Sequence, residues 1–505
     1  MQQARFAFDN SYARELPGFY VPWQPTPVRE PRLLFLNHAL ADELCLDLAA
    51  CDEPALAAVF SGNRLPAGAN PIAQAYAGHQ FGHFSPQLGD GRALLVGEVI
   101  DRQGRRRDIA FKGSGRTPFS RGGDGKAAIG PMLREVLIGE AMHALGIPTT
   151  RALAVVATGE SVYRERALPG AALTRVAASH IRIGTFEYFA ARNAPDKVRQ
   201  LTDYTIARHD PGLAEEPGRY LEFLRAVVQR QAALVAQWMC AGFIHGVMNT
   251  DNMSIAGETI DYGPCAFMET YHPQAVFSSI DEHGRYAYEN QPAIAHWNLG
   301  RLAESLLPLL ADNEQQAIAL ATAAVNAFPD HYRHHWLQGM RAKLGLRGCA
   351  DDGKRIANIL AEDWLALLHA DQVDFTLAWR RLADAAEGHT SPLREMFSDH
   401  PALEDWLTRW QARCAAEDGT TVPGGAENAA RIRAQKMRKV NPWLIPRNHR
   451  VEEALAAASE HGDLEPFECL LTALEHPHEE NPAFARYAEP APAAFTASYR
   501  TFCGT

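Results

Sequence analysis

Apolar and polar positions follow two different periods along this chain, and the change of period divides it. From about residue 84 to 112 short apolar runs are separated by tight turns. Ala93–Asp101 reads as a strand, the RQGR after it as a turn, and Arg107–Lys112 as the returning strand of a hairpin. Gly113–Lys126, GSGRTPFSRGGDGK, is too rich in Gly and Ser for regular structure. Helical periodicity starts at Ala127 and runs to Leu145, with Gly146 and Pro148 as stop signals. RALAVVAT at 151–158 reads as a further strand. Beyond about residue 185 the period becomes that of a helix. Leu221, Leu224, Val228, Leu234 and Trp238 share a face of a buried helix over Arg219–Gly242. A loop-and-strand island at 243–268 interrupts the helices, which resume at 293–327. Helices at 401–417 and 451–474 flank a flexible DGTTVPGGAE segment at 418–427. Residues 1–60 are Pro-punctuated, with a short helix near 39–50.

The expected fold class is α+β: a strand-rich lobe at 61–184, a helical lobe at 185–400, and extensions at 1–60 and 401–505. This is the two-lobe outline of kinase-like proteins.

Charge narrows the function. Among 505 residues, 49 Lys and Arg face 60 Asp and Glu, a net charge of −11, which argues against a nucleic-acid partner. Eight cysteines are scattered without a CxxC pair, so neither a zinc site nor a disulfide framework is expected. The N-terminal stretch lacks a basic-then-apolar leader, and no apolar run reaches the roughly 20 residues that span a bilayer. A cytoplasmic protein without membrane partners is the expectation.

Three constellations carry chemistry. Lys112 ends an apolar strand, and the next helix carries Glu135. In kinase-like folds such a lysine holds nucleotide phosphates and pairs with the helix glutamate; an ordinary strand-end Lys and a surface Glu would read the same. Upstream, Gly89-Asp90-Gly91-Arg92 could bring backbone amides to phosphate, or serve only as a turn.

The second constellation is His245-Gly246-Val247-Met248-Asn249-Thr250-Asp251-Asn252, followed by Asp261-Tyr262-Gly263. Small-molecule kinases carry HGDxxxxN and then IDxG, where Asn and the second Asp hold magnesium. Asn252 and Asp261 are the matching oxygen donors for a hard cation. The proton acceptor of that pattern is replaced by Val247, which cannot take a proton, while Asp251 stands beside Asn252. Either the site binds nucleotide without reacting, or a displaced base serves different chemistry. Retention of the metal pair and of Lys112 and Glu135 favours the second.

Third come Asp124, Gly125 and Lys126 in the Gly-rich stretch, with Arg175 and Arg182. Seven residues apart, the arginines would share a helix face if their segment were helical. Taken alone, a pair of surface arginines in salt bridges is the commoner arrangement. His79 and His83, four apart in YAGHQFGH, match metal ligands on a helix, but Gly82 between them and the missing third ligand favour a structural role.

The strings NPIAQAYAGHQFGHFSPQLGDGRALLVGE, DIAFKGSGRTPFSRGGDGKAAIGPMLRE, the Val247–Asp261 island and NPWLIPRNHR together resemble the selenoprotein O (SelO/YdiU) family of pseudokinase-fold protein adenylyltransferases. The resemblance covers most of the chain. It implies transfer of AMP from ATP to Ser, Thr or Tyr hydroxyls of proteins, with ATP bound flipped relative to kinases and Mg2+ or Mn2+ as cofactor. It further implies Lys112 on the terminal phosphates with Glu135 as partner, Arg175 and Arg182 on the γ-phosphate, and Gly89, Gly91, Arg92, Asp124 and Gly125 along the nucleotide. Asn252 and Asp261 would hold the metal and Asp251 would act as base. Some relatives carry selenocysteine near the C-terminus, where this chain has Cys503; the resemblance allows such a tail group to pair with a cysteine near the active site, and Cys265 follows Asp261. UMP transfer from UTP, or a silent ATP-binding pseudokinase scaffold, remain the alternatives.

Overall fold

The hairpin read over Ala93–Lys112 forms, and the rest of the main sheet is added to its two edges. A computed structural model describes residues 4–347, 351–398, 400–418 and 425–502. In chain order its first strands are β1 (Tyr20–Pro22), β2 (Arg32–Leu36), β3 (Ile72–Gln74), β4 (Gly78–Gln80), β5 (His83–Ser85), β6 (Ala93–Ile100), β7 (Arg106–Lys112), β8 (Ala127–Ala128), β9 (Arg151–Tyr163) and β10 (Ala167–Ala177). The sheet order is β1-β3-β6-β7-β10-β9-β2, antiparallel throughout, with β8 against β10 and β4–β5 a separate hairpin. At the β6–β7 turn, Asp101 Oδ1 accepts from the backbone N–H of Gln103 (2.9 Å) and Arg105 (2.8 Å), which fixes the tight reversal.

Two sequence expectations change here. The helix starts at Ile129 rather than Ala127, because Ala127 and Ala128 pair with Ala171 and Gly170 of β10. And β10 was not legible, since its buried run AALTRVA has no alternation: the strand is covered on both faces. Arg175 therefore lies on a strand and Arg182 just before the helix Ile183–Ala190, so no helix face joins them. Both are buried, which also removes the surface-pair reading.

The helix Ile129–Ala144 crosses the sheet. Its Met132, Leu133, Val136 and Leu137 are fully buried in one core with Val155 and Leu173 of the strands. Each such side chain stabilises by roughly 1.5–3 kcal/mol, so the position of Glu135 between them is rigid.

After Ile183 helices dominate. Arg219–Ala241 forms as read and stops at Gly242, whose φ of +72° suits glycine. Next, β11 (Phe243–Ile244) and β12 (Ala266–Phe267) pair and bracket the loop carrying Val247 to Asp261. The resumed helical stretch is two helices, Gln291–Leu310 and Glu314–Asn326. Trp364, Trp379, Trp406 and Trp410 fill the core of the later helices. Residues 419–424 of the segment read as flexible lie outside the described residues. The expected 451–474 helix is two, Asn448–Ala456 and Glu465–Leu474, broken near Gly462 at φ +67°. The helix near 39–50 is His38–Glu43, ending before Cys45 at φ +56°. Among the described residues, no helix is long and apolar enough to cross a membrane.

Candidate active site

Lys112 at the end of β7 is buried, and its Nζ donates to Glu135 Oε1 (2.8 Å) and to Asp261 Oδ1 (2.5 Å). Glu135 Oε1 also accepts the backbone N–H of Tyr262 (3.0 Å), so one carboxylate fastens both the lysine and the IDYG segment. Arg175 Nη1 donates to the same Asp261 oxygen at 2.7 Å. Strand, helix and loop thus bring Lys112, Glu135, Arg175 and Asp261 together. Burial opposes the charge on Asp261, but Lys112, Arg175 and Arg182 hold its carboxyl well below the usual range. Asp261 has a φ of +65°, a strained conformation for a non-glycine residue.

Arg182 is buried beside this cluster with its guanidinium 4.3 Å from the Tyr76 ring centre. Its Nε has no hydrogen-bond partner, and no carboxylate lies within ion-pair distance of it among the described residues. Asp90, Asp261 and Asp251 act on it only from beyond contact distance, so its guanidinium keeps donors free for an anion.

The second half of the loop is clamped by the β4–β5 hairpin. Backbone N–H of His79 donates to Thr250 Oγ1 (2.7 Å), that of Phe81 to Asn249 Oδ1 (3.1 Å), and Gln80 Nε2 to Asp251 Oδ2 (3.2 Å). Asp251 Oδ1 is buried and has no partner; a Cβ on Gly78 would stand 2.5 Å from it. Burial pushes the Asp251 carboxyl up to about 6. His79 and His83 sit on this hairpin, not on a helix, and His79 Nδ1 meets Glu187 Oε1 at 2.5 Å.

Asn252 Nδ2 donates to Val247 O at 3.0 Å, leaving Oδ1 outside that bond. Asp261 Oδ2 likewise takes no protein hydrogen bond among the described residues. Amide and carboxylate oxygens are of the donor type that a hard divalent cation takes. No group of three or more His, Cys, Asp and Glu placed to hold a metal occurs among the described residues. Val247 is buried and apolar, as its replacement of an acid requires.

The glycines read as phosphate-facing have neighbours of their own. A Cβ on Gly89 would stand 2.3 Å from the Phe119 ring, one on Gly91 2.9 Å from Phe119 O, and one on Gly125 2.0 Å from Gly115 O. Asp124 pairs with Arg164 at 2.9 Å and is not among the contacts of Lys112 or Asp261. Arg92 is half-buried.

The chain matches the family model described as protein adenylyltransferase SelO over residues 2–475. The chain belongs to this family. Among curated relatives, the protein nucleotidyltransferase YdiU of Cereibacter sphaeroides is 59% identical over 501 residues, covering 99% of this chain and 100% of the relative. That of Chromobacterium violaceum is 59% identical over 491 residues (97% and 100%), and that of Rhizobium etli 56% over 504 (99% and 98%). This SelO-family chain is a nucleotidyltransferase.

Sequence reading missed Tyr76 beneath Arg182, the clamp residues Gln80 and Glu187, and His180 against Arg175 (3.2 Å). Asp90 stood within the quoted GDGR but without a role; it is buried, and burial raises its carboxyl to about 6. The C-terminal tail approaches the site: Thr501 Oγ1 donates to Pro264 O at 2.7 Å. Cys265 next to it is buried, and burial pushes its thiol up to about 12. Cys503 lies outside the described residues.

Proposed function

We propose that this enzyme is a protein adenylyltransferase of kinase-like, two-lobe form, acting in the cytoplasm. It transfers AMP from ATP to Ser, Thr or Tyr hydroxyls of proteins and releases pyrophosphate. The observation that carries the reading is a buried cation with no ion pair at contact distance, Arg182, near a buried carboxylate oxygen without a hydrogen-bond partner on Asp251. The first calls for an anion and the second for a proton donor.

In this reading Lys112, Arg175 and Arg182 hold the terminal phosphates, which depart together as pyrophosphate. Glu135 orients Lys112. The acceptor hydroxyl attacks the α-phosphorus, its proton passes to Asp251 Oδ1, and the bond to the bridging oxygen of pyrophosphate breaks. Asn252 and Asp261 would hold Mg2+ or Mn2+, which supplies charge neutralisation at phosphate oxygens when bound. Gly89, Gly91, Arg92, Asp124 and Gly125 shape the nucleotide wall, the glycines by letting the 113–126 loop close upon the GDGR turn.

ATP labelled separately at the α- and γ-phosphates tests it. Label from the α position becomes covalently attached to protein and γ-label is released. Attachment of γ-label instead makes the chain a kinase and ends this reading; attachment of neither makes it a binding module.

A further inference from the structure

Arg175 carries five N–H donors and no acceptor. One Nη1–H goes to Asp261 Oδ1 at 2.7 Å, and Nε–H goes to His180 Nε2 at 3.2 Å. Nη2 takes no protein hydrogen bond among the described residues. Because a guanidinium only donates, His180 Nε2 must present its lone pair, so the imidazole proton sits on Nδ1. That proton faces Asp108 Oδ2 at 3.0 Å, which also accepts the His180 backbone N–H at 2.8 Å. Asp108 in turn accepts from Arg208 Nη2 at 2.5 Å, and Arg208 Nη1 donates to Glu98 Oε1 at 2.5 Å. His180, Asp108 and Glu98 are all buried.

We propose that His180 is a positioning residue for nucleotidyl transfer: its neutral, Nδ1-protonated ring, locked by Asp108, fixes the rotation of Arg175 so that Nη2 addresses the leaving pyrophosphate. A planar fork held at one edge can still turn about its side-chain torsions. Held at Nε and at Nη1 it cannot, and its remaining donors have one direction. Burial pushes the ring pKa down to about 4, against the hydrogen bond it donates to Asp108 and with the charge of Arg175, so it stays neutral and does not repel the guanidinium.

This rests on Arg175 acting as proposed above, and the test separates the two. His180→Gln keeps an acceptor near the Nε2 position; His180→Asn keeps a donor near Nδ1, facing Asp108, and loses that acceptor. With ATP and a protein acceptor, His180→Asn loses about 10–100-fold in kcat, the usual range for an outer-shell partner, and His180→Gln recovers most of it. Melting temperatures need not follow that order. On an Arg175→Ala background, His180→Asn costs nothing more. A structural role predicts the reverse ranking, with His180→Asn the more active. That ranking, equal losses, undiminished activity, or failure of both variants to melt cooperatively overturns the inference. If Arg175→Ala itself keeps wild-type activity, the assignment of Arg175 fails instead.

Discussion

Arg447 is fully buried, with Glu269 Oε2 and Asp374 Oδ2 each 2.6 Å from its Nη1. Arg182, buried to nearly the same degree, rests on Tyr76 and meets no carboxylate at contact distance among the described residues. Arg182 stands out in the sequence beside Arg175, and Arg447 lies within NPWLIPRNHR. The difference is one of contact ion pairing. Around Arg447 two carboxylates take up the guanidinium's donors within the protein, and the triad ties the segment after β12 to the C-terminal helices. Around Arg182 the carboxylates of Asp90, Asp261 and Asp251 act only from beyond contact distance, which is why the proposed function gives its guanidinium an anionic ligand. A buried arginine is therefore structural or functional according to what surrounds it, not according to its burial.

The contrast can be broken most severely at Asp261. Asp261→Ala removes the carboxylate shared by Lys112 and Arg175, and with it the contact ion pair of Arg175. Transfer of α-label falls below detection, while Asp374→Ala, which strips Arg447 of one of its two partners, lowers the melting temperature and spares the chemistry of what remains folded. Next in size, Asp251→Ala loses roughly 10²–10⁴-fold in transfer through loss of general-base help, with ATP affinity by calorimetry close to wild type. Equal losses in binding and transfer would recast Asp251 as a loop-former.

The sharpest form of the comparison uses one substitution twice. Arg182→Met keeps the packing over Tyr76 and removes only charge. It loses on the order of 10²-fold in transfer, and without nucleotide it melts at or above the wild-type temperature. Arg447→Met strands two buried carboxylates and costs about 3–5 kcal/mol of stability. Similar melting temperatures for the two would show that contact ion pairing does not separate them.

The smallest effect is a pH dependence. Burial, and then the charges of Arg208 and Arg230, push His209 down to about 3, with Arg107 acting the same way and Asp108 opposing. Its folded pKa lies below the unfolded value of about 6.5, so its contribution is complete above that value. It is lost as pH falls from about 6.5 toward 3, where the unfolded chain binds the extra proton. Substituting His209→Gln flattens the fall of stability in that window by up to about 1.4 kcal/mol per pH unit, read by denaturant titration at several pH values. An unchanged slope would place the proton elsewhere.

How much of this was legible in the sequence depends on where the information lies. That Lys112, Glu135 and Asp261 meet was readable because their order along local elements carries it: strand end, helix, then the loop between β11 and β12. Arg175 and Arg182 were singled out without their element, because β10 is buried on both faces and shows no alternation. Tyr76, Gln80 and His180 were not found, since each works through a partner that only the fold brings near. The glycines of GDGR were legible as close-approach positions but not as to what approaches, which is Phe119.

The bond from Thr501 to Pro264 joins residues 237 positions apart. On a ribosome adding about 5–20 residues per second, the segment behind Asp261 waits roughly 10–50 s for that cover. During that interval Lys112, Glu135 and Arg175 have already been made and can close on Asp261 without it. Chain order alone thus lets the charges meet before the bond behind them can form.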